Sequence, residues 1–217
     1  MRIHNYEVNG VRSDVEYSEA HRFNRTLWRG SNSARCASKC RYRRRSVELS
    51  AMSEIVVRKA ELRDVPAVYE LIQPYVDENI VLQKDLVVLY ESMRDFAVVE
   101  VDGRVVGCGA LHVLWRDLGE LRTIAVEPGM RGHGIGYRLV EFLVAEAREI
   151  GLSRLFCLTF ETDFFARHGF EPVAERVIDT GTYREMLRSP DEGTAEFLDL
   201  PWVKPNTLGN TRMILSL

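Results

Sequence analysis

A glycine-rich turn lies between an apolar run and a strongly periodic segment, and this order limits the possible folds of the chain more than any other feature. The apolar run covers residues 121–126, the turn covers residues 131–136 (RGHGIG), and apolar residues then recur at helical spacing up to Ile150. The order predicts a strand, a tight turn and a helix. Glycines let a main chain approach a ligand closely, and the first turn of a helix has free N–H groups. The sequence therefore predicts a cradle for an anion such as a pyrophosphate, with Arg131 as a neighbouring cation.

Two better-known glycine motifs do not fit this turn. The dinucleotide-binding fingerprint needs a G-x-G-x-x-G spacing and an acidic residue about 20 residues later. The glycines at positions 132, 134 and 136 do not have that spacing. A Walker-type loop needs Gly-Lys-Ser/Thr, which the turn lacks.

The remaining pattern predicts a mixed fold. Strands are predicted at residues 55–58, 96–101, 104–114, 118–126, 154–159, 196–200 and 212–215. Helices are predicted after Asp64 as a cap, from about residue 85, over residues 135–150, and over residues 163–168 with Gly169 as the C-terminal cap. Hairpins combined with one βαβ-like crossover predict an α/β or α+β sheet with helices on its faces.

Charge divides the chain into two parts. Residues 1–52 contain 11 Lys and Arg and 5 Asp and Glu, a net charge of +6, whereas residues 53–217 contain 18 and 27, a net charge of −9. We interpret residues 1–52 as a basic, disordered extension and residues 53–217 as one folded domain. The basic cluster at residues 41–45 also fits a nucleic-acid or membrane-surface tail, and a true start at Met52 is a third interpretation. The acidic body argues against a nucleic-acid-binding domain.

Cysteine usage and hydropathy predict a cytoplasmic protein. The cysteines at positions 36, 40, 108 and 157 do not have the spacing of a disulfide framework, and Cys36 and Cys40 lack the second pair of a zinc motif. No apolar run approaches the length of about 18 residues that a membrane span needs. The N-terminus has no apolar region of a secretory signal. We therefore expect no metal and no membrane partner, and Cys108 and Cys157 are interpreted as core residues.

The glycine turn, in the form Arg131-x-x-Gly134-x-Gly136, resembles the coenzyme A pyrophosphate loop of the GNAT-type N-acetyltransferases. Further segments are similar to N-acetylglutamate synthases, namely residues 80–84, 119–126, 156–159, 164–170 and, more loosely, 204–217. The long form of those enzymes carries an amino-acid-kinase domain, for which this chain has no room. The chain therefore resembles the short, free-standing actinobacterial type.

The resemblance implies a GNAT-like fold, which is a mixed and mostly antiparallel central sheet flanked by helices. It implies acetyl-CoA as co-substrate, no metal, and an amino acid as the small-molecule substrate. The implied function is N-acetylation of the α-amino group of L-glutamate or L-glutamine, the first step of arginine biosynthesis. The alternatives are acetylation of another amine, such as a protein N-terminus, a small amine or an antibiotic, and a non-catalytic acetyl-CoA-binding module. The sequence leaves open whether the protein forms a homo-oligomer.

Acetyl transfer needs a group that takes a proton from the substrate ammonium, together with polarisation of the thioester carbonyl and alignment of the reactants. The resemblance implies that Glu120 is this general base, whereas the alternative is a strand residue that faces solvent or pairs with Arg122.

Phe165 stands where many GNAT enzymes carry the Tyr that protonates the leaving thiolate. Thr162 is then a candidate hydrogen-bond donor, with a helix cap as the alternative. His112 is interpreted as a structural histidine, with a proton relay as the alternative.

The other implied roles concern binding. The co-substrate is expected to contact Ile124, Ala125, Val126, Arg131, Gly132, His133, Gly134, Ile135, Gly136 and Phe165. The amino acid is expected to contact Leu82, Lys84, Arg122, Thr123, Thr211 and Arg212, with Lys204 as a further candidate. The cations among them suit carboxylates. In the family the central strand splays from its neighbour, which implies a polar edge free for the ligand.

Overall fold

The computed structural model describes residues 54–174, 176–202 and 209–217 of the chain. Its strands are β1 Ile55–Lys59, β2 Phe96–Val101, β3 Arg104–Trp115, β4 Leu118–Val126, β5 Arg154–Thr159, β6 Glu171–Pro172 and β7 Thr211–Ser216. Its helices are α1 Val65–Asp77, α2 Leu86–Glu91, α3 Ile135–Glu149, α4 Thr162–Ala166, α5 Thr180–Met186 and α6 Glu192–Phe197. The predictions for residues 1–52 and for Lys204 lie outside the described residues.

The seven strands form one sheet in the order β1-β2-β3-β4-β5-β7-β6. Neighbouring strands are antiparallel, apart from β4 and β5, which are parallel and are connected through α3. The predicted fold class, a mixed and mostly antiparallel sheet with a βαβ crossover, is confirmed.

Helices cover both faces of the sheet because successive strand side chains point to opposite faces. In β2, Ala97 and Val99 belong to the apolar cluster that contains the buried stripe of α3, whereas Phe96 and Val98 belong to the cluster that contains α1. The predicted helical stripe of α3 is confirmed for Ile135, Leu139, Leu143 and Ala147, which are among its buried residues. Its last predicted member, Ile150, is wrong, because this residue follows the helix and is exposed. The sheet therefore has a core on each side, and its strand ends remain accessible for a site.

The predicted strand at residues 196–200 is wrong, because the first part of this segment belongs to α6. The Asp191 carboxylate accepts a hydrogen bond from the main-chain N–H of Thr194 at 2.7 Å and so caps this helix. Phe197 and Leu198 are buried in a third apolar cluster together with Phe156 of β5. The apolar residues that were interpreted as a strand thus form one side of a short helix and the turn after it.

Asp64 has a different role from the predicted cap of α1. It stands at the cap position, but its side chain makes no cap hydrogen bond to the helix. Instead the buried carboxylate accepts hydrogen bonds from the Arg58 guanidinium at 2.6 and 3.0 Å and from the Glu61 main-chain N–H at 2.8 Å. The hydrogen bond from Arg58 lowers the pKa of Asp64 although burial opposes it. The carboxylate therefore connects β1 with the start of α1.

Gly119 lies where β4 pairs with both β3 and β5, and a side chain there would overlap with the core. A Cβ atom at Gly119 would lie 2.6 Å from Leu152 Cδ1 and 3.1 Å from Leu111 Cδ1 and Leu155 Cδ2. We expect Gly119→Ala to lower the free energy of unfolding by about 1–3 kcal/mol in chemical denaturation. The control is Gly129→Ala in an exposed turn, where no atom lies within 4 Å and the expected change is below about 0.5 kcal/mol. Equal stabilities of the two variants would contradict the close packing at Gly119.

Candidate active site

The candidate site begins where β4 and β5 separate. Their parallel pairing consists of Leu118–Arg154, Gly119–Leu155 and Glu120–Phe156, and the described residues form no pair beyond Glu120. Both strands continue past this point, to Val126 and Thr159 respectively. Their facing edges therefore diverge, and main-chain groups of β4 are left for other partners.

An irregularity in β4 lies at the same place. Cys108 of β3 pairs with Ala125, but Ala110 pairs with Arg122, so β4 has an extra residue between these two pairs. Thr123 in this bulge has a φ of 58°, a left-handed conformation that strains a β-branched residue. A bulge bends its strand and increases the local twist. We infer that this bulge helps β4 to turn away from β5.

A cavity of about 860 Å³ lies between the separated strands, a volume typical of small-molecule sites. Its lining includes residues from β4, the end of β5, the glycine turn, the start of α3, α4, the segment before α2, and α6. The structure brings together most of the predicted site residues in this lining, namely Leu82, Lys84, Glu120, Arg122, Thr123, Ile124, Val126, Arg131, Gly132, Gly134, Ile135, Gly136 and Phe165.

Five predicted site residues are not among the residues that line the cavity: Ala125, His133, Thr162, Thr211 and Arg212. Ala125 is buried in the core on the α1 side of the sheet. The His133 ring lies with Nδ1 at 3.1 Å from the main-chain oxygen of Arg131. Thr211 pairs with Thr159 at the start of β7. A ligand contact by these three residues, for His133 through its main chain, stays a prediction.

Thr162 and Arg212 make contacts of another kind. Thr162 is the first residue of α4, and Glu161 holds the cap position, so the cap alternative for Thr162 is wrong. The Arg212 guanidinium donates a hydrogen bond to the main-chain oxygen of Phe197 at 2.6 Å. It also lies over the ring of Phe156, 5.0 Å from its centroid. Arg212 therefore holds the end of α6 against the sheet.

The glycine turn has the geometry of an anion cradle. Gly132 and Gly134 have φ values of 84° and 74°, and a Cβ atom at either residue would meet open space. Gly134 is the cap residue of α3 and has no side chain that could occupy the first N–H groups of the helix. These N–H groups carry the positive end of the helix dipole. The described main chain therefore leaves room for an anionic group at the start of α3.

Tyr75 of α1 covers the free edge of β4 near this cradle. Its hydroxyl group donates a hydrogen bond to the main-chain oxygen of Val126 at 2.5 Å and accepts one from the N–H of Val126 at 3.2 Å. The guanidinium of Arg131 lies 5.2 Å from the centroid of the Tyr75 ring. The interaction with Tyr75 raises the pKa of Arg131. The sequence does not mark Tyr75 as a site residue, because Tyr75 belongs to the buried stripe of α1.

Glu120 is buried at the opposite end of the cavity lining. It is 3% exposed, and its Oε2 atom has no hydrogen-bond partner among the described residues. The Arg122 Nη1 atom lies 3.8 Å from this oxygen. Burial raises the pKa of Glu120, while the charges of Arg122 and His112 oppose the rise. The alternative of a solvent-facing Glu120 is therefore wrong, whereas the alternative of pairing with Arg122 is present as an ion pair. A carboxylate whose pKa is raised in this way accepts a proton more readily.

Arg122 is oriented by a carboxylate from α6. Its Nη1 atom donates a hydrogen bond to Asp191 Oδ1 at 2.8 Å. Burial acts to raise the pKa of Asp191, but the hydrogen bond and charge of Arg122 prevail and lower it to about 2. His112 contacts Asp95 through Nδ1 at 2.9 Å and lies 3.9 Å from Asp191 through Nε2. The position of Arg122 thus depends on the segment that carries Asp191.

Glu196 is a lining residue that sequence analysis missed, because residues 196–200 were predicted to form a strand. Its Oε1 atom is buried and has no hydrogen-bond partner among the described residues. Burial raises the pKa of Glu196 to about 7, with a further contribution from Glu120 and opposition from Lys84 and Arg212. Asp191, a cap residue that follows Pro190, was the sequence signal that could have identified α6.

The two cysteines of the described residues lie in the core. Cys108 and Cys157 are fully buried, as predicted, and burial raises the pKa of both thiols, that of Cys108 to about 12. Neither thiol is therefore suited to act as a thiolate nucleophile.

Among the residues placed in the structure, no group of three or more His, Cys, Asp and Glu could hold a metal ion. The helices described here also include none with the length and apolar character of a membrane span.

Comparisons with known proteins give a consistent result. A sequence model of the Acetyltransferase (GNAT) family matches residues 60–170. An amino-acid acetyltransferase from Mycobacterium tuberculosis is 54% identical over 165 residues, which cover 75% of this chain and 94% of the relative. An amino-acid acetyltransferase from Neisseria meningitidis serogroup A is 35% identical over 123 residues, which cover 56% of this chain but 28% of the relative.

Solved structures show the same similarity. A crystal structure of Rv2747 from Mycobacterium tuberculosis, in complex with CoA and NLQ, has a TM-score of 0.72 and 55% identity, and the match covers 75% of this chain and 99% of that chain. An N-acetylglutamate synthase from Neisseria gonorrhoeae, complexed with coenzyme A and N-acetyl-glutamate, has a TM-score of 0.60 and 26% identity, with coverage of 76% and 36%. The family match at residues 60–170 includes β4, the glycine turn and α3, whereas α5 and α6 lie outside it.

The raised pKa of Glu196 predicts a pH-dependent loss of stability. The folded-state pKa of about 7 exceeds the ordinary value of 4.5, so the wild-type protein loses stability as the pH rises through this interval. We expect Glu196→Gln to be as stable as the wild type at about pH 4.5 and more stable at about pH 8, by about 1–2 kcal/mol because solvent screens this partly exposed group. Denaturant titrations at both pH values measure the difference. Glu192→Gln, an exposed neighbour on the same helix, should follow the wild type, and a Glu196→Gln variant that also does so contradicts the raised pKa.

Proposed function

We propose that this chain, which belongs to the acetyltransferase (GNAT) family, transfers the acetyl group of acetyl-CoA to the α-amino group of L-glutamate or L-glutamine. Membership in the family makes the protein an acetyl-CoA-dependent acetyltransferase, and the similar Mycobacterium tuberculosis enzyme is an amino-acid acetyltransferase. One observation carries the proposal for an amino-acid substrate. The cavity between β4 and β5 combines the buried carboxyl of Glu120 with the cations Lys84 and Arg122. Such a site matches a zwitterion, which has an ammonium group and a carboxylate close together.

The choice of glutamate or glutamine rests on the relatives. The Neisseria gonorrhoeae enzyme is an N-acetylglutamate synthase, and its structures contain coenzyme A with N-acetyl-glutamate or with L-arginine. We extend the substrate class of this enzyme to the present chain, and with it the assignment to the first step of arginine biosynthesis. The chain matches 36% of the length of that protein, so regulation by arginine is not part of the proposal.

The co-substrate fits the cradle and the free strand edge. We assign its diphosphate to the main-chain N–H groups at Gly132 and Gly134, where open space faces both residues, and to the cation of Arg131. The pantetheine arm would then follow the edge of β4 at Ile124 and Val126, beyond the last β4–β5 pair. This arrangement directs the thioester towards the end of the cavity at which Glu120 is buried.

Glu120 has the central role in the proposed reaction. Its carboxylate accepts a proton from the substrate ammonium, directly or through a water molecule, and so exposes the nitrogen lone pair. The nitrogen attacks the thioester carbonyl carbon, the C–S bond breaks, and CoA leaves as a thiolate. The nitrogen then releases its second proton, to the thiolate or to solvent, and becomes the amide nitrogen. Phe165 lines the cavity and cannot donate a proton, but a thiolate leaves without one at small cost. Lys84 and Arg122 hold the substrate carboxylates, and Asp191 keeps the guanidinium of Arg122 in place.

The proposed substrate is tested with the purified full-length protein, acetyl-CoA and a panel of amino acids, simple amines and short peptides. We expect release of free CoA thiol with L-glutamate or L-glutamine and little release with simple amines or peptides. Simple amines bring no carboxylate to Lys84 and Arg122, and a peptide has its terminal carboxylate farther from its α-amino group. Transfer confined to peptides or simple amines would overturn the substrate assignment and leave the family membership unaffected.

The role of Glu120 is tested by Glu120→Gln, which keeps the shape of the side chain but removes its capacity to accept a proton. We expect kcat to fall by about 10²–10⁴-fold, since this is the usual contribution of a general base. Calorimetry should show that acetyl-CoA binding is retained, because the cradle lies at the other end of the cavity. Glu149→Gln, at an exposed position near the end of α3, is the matched control and should retain full activity. A near-normal kcat in Glu120→Gln would remove the assignment.

A further inference from the structure

Two carboxyl groups from different elements line the same cavity, and each has an oxygen without a hydrogen-bond partner among the described residues. They are Oε2 of Glu120 on β4 and Oε1 of Glu196 on α6. Glu120 is also only 3% exposed, so bulk water has little access to its Oε2 atom and does not replace the missing hydrogen bond. A buried polar atom without a partner costs about 1–3 kcal/mol, and more when it is charged. Both oxygens are therefore available for N–H donors that a ligand supplies.

The geometry of α6 brings the two carboxyl groups to the same end of the cavity. Gly193 and Glu196 are three residues apart on the helix, hence on one face, and both line the cavity. A Cβ atom at Gly193 would lie 3.5 Å from Glu120 Oε2 and 2.5 Å from Arg122 Nη1. The absence of a side chain at Gly193 thus lets α6 rest directly on the ion pair of β4. Glu196 follows one turn later on that face, and the charge of Glu120 contributes to its raised pKa.

The cavity also contains cations beside the two carboxyl groups. Lys84 and Arg122 line it together with the two carboxyl groups, and Asp191 from the start of α6 fixes Arg122 at 2.8 Å. An amino acid has an ammonium group one carbon away from a carboxylate. The cations match the carboxylate, which leaves the two carboxyl groups for the ammonium.

We propose that Glu196 is a second binding residue for the substrate ammonium group, which it holds together with Glu120. This inference rests on the proposed function and deepens it. The ammonium has three N–H donors, so it donates one hydrogen bond to each carboxyl group. Glu120 then takes its proton, while Glu196 keeps its hydrogen bond to the neutral amine and orients the lone pair towards the thioester carbonyl carbon. No bond to Glu196 forms or breaks during the reaction.

Glu196 and Glu120 differ in whether the family match includes them, and we assign them different roles. The family match at residues 60–170 includes Glu120 and the glycine turn but ends before α6. Glu196 therefore lies outside the segment matched to acetyltransferases in general. We assign it to the selection of the amine, namely an ammonium group next to a carboxylate.

Steady-state kinetics of Glu196→Gln test the inference, with acetyl-CoA at saturation and the amino acid that the wild type prefers. The amide keeps the size of the side chain but loses the charge that attracts the ammonium. We expect KM for the amino acid to rise at least about tenfold while kcat changes less than about threefold. Glu149→Gln, at the exposed end of α3 and outside the cavity lining, removes the same charge and should leave both constants unchanged.

A second measurement separates ammonium binding from an effect on the shape of the cavity. Glutarate, or glutaramate if the preferred substrate is glutamine, has the same chain but lacks the α-amino group. As a competitive inhibitor, it should bind Glu196→Gln as tightly as the wild type or more tightly, because a repelling carboxylate has been removed. If its inhibition constant rises in parallel with KM for the amino acid, Glu196 does not act through the ammonium and the inference is overturned.

The outcomes distinguish this inference from the proposed function. A wild-type protein that acetylates no amino acid overturns the proposed function, and the role of Glu196 with it. An active wild type whose KM is unchanged by Glu196→Gln overturns the role of Glu196 alone. Should Glu196→Gln fail to fold, Glu196→Asp is measured instead. KM for the amino acid should again rise while kcat changes little, because the carboxylate is withdrawn from the ammonium by one methylene group. An unchanged KM in that variant is equally decisive against the inference.

Discussion

The site depends on the early end of the parallel pairing between β4 and β5. Had the two strands stayed paired beyond Glu120 and Phe156, the sheet would have gained hydrogen bonds but would have had no space for a ligand. The bulge at Thr123 bends β4 at this point, and the left-handed backbone there is strained. The α3 crossover starts beyond the opened end, which brings the glycine turn to the edge of the same gap. Ligands commonly bind at the carboxyl ends of parallel strands for this reason.

The gap separates two kinds of electrostatic environment. At the glycine turn, main-chain N–H groups and Arg131 favour an anion, and these groups are exposed or near the surface. At the other end, Glu120 is buried against Arg122 and Lys84, so small changes in its surroundings alter its proton affinity strongly. A molecule with an anionic head and a long neutral arm fits both environments. Under the proposed function, the carrier would bind at one end and the amine would be selected at the other.

The sequence predicted the parts of the fold in which local pattern and tertiary role agree. The bounds of β4 and β5 were predicted correctly because their apolar runs end at clear turn residues. The segment at residues 196–200 was misassigned because six residues of a short helix do not complete two turns, so its apolar spacing looks like a strand. Because of that error, Glu196 was not predicted to be a site residue. Tyr75 could not be predicted for another reason, since only the folded sheet brings residue 75 to residue 126.

The contact between Tyr75 and Val126 has an energetic consequence for ligand recognition. In the structure the phenol already satisfies both the N–H and the carbonyl group of Val126. A ligand that bonds to these two groups therefore exchanges one set of hydrogen bonds for another, and its net enthalpic gain at this residue is small. If the carrier binds as proposed, its affinity comes mainly from the glycine turn with Arg131 and from apolar contacts of the pantetheine arm. The edge of β4 therefore contributes little to the strength of binding. Its main effect is to fix the position of a ligand whose amide groups have the matching spacing.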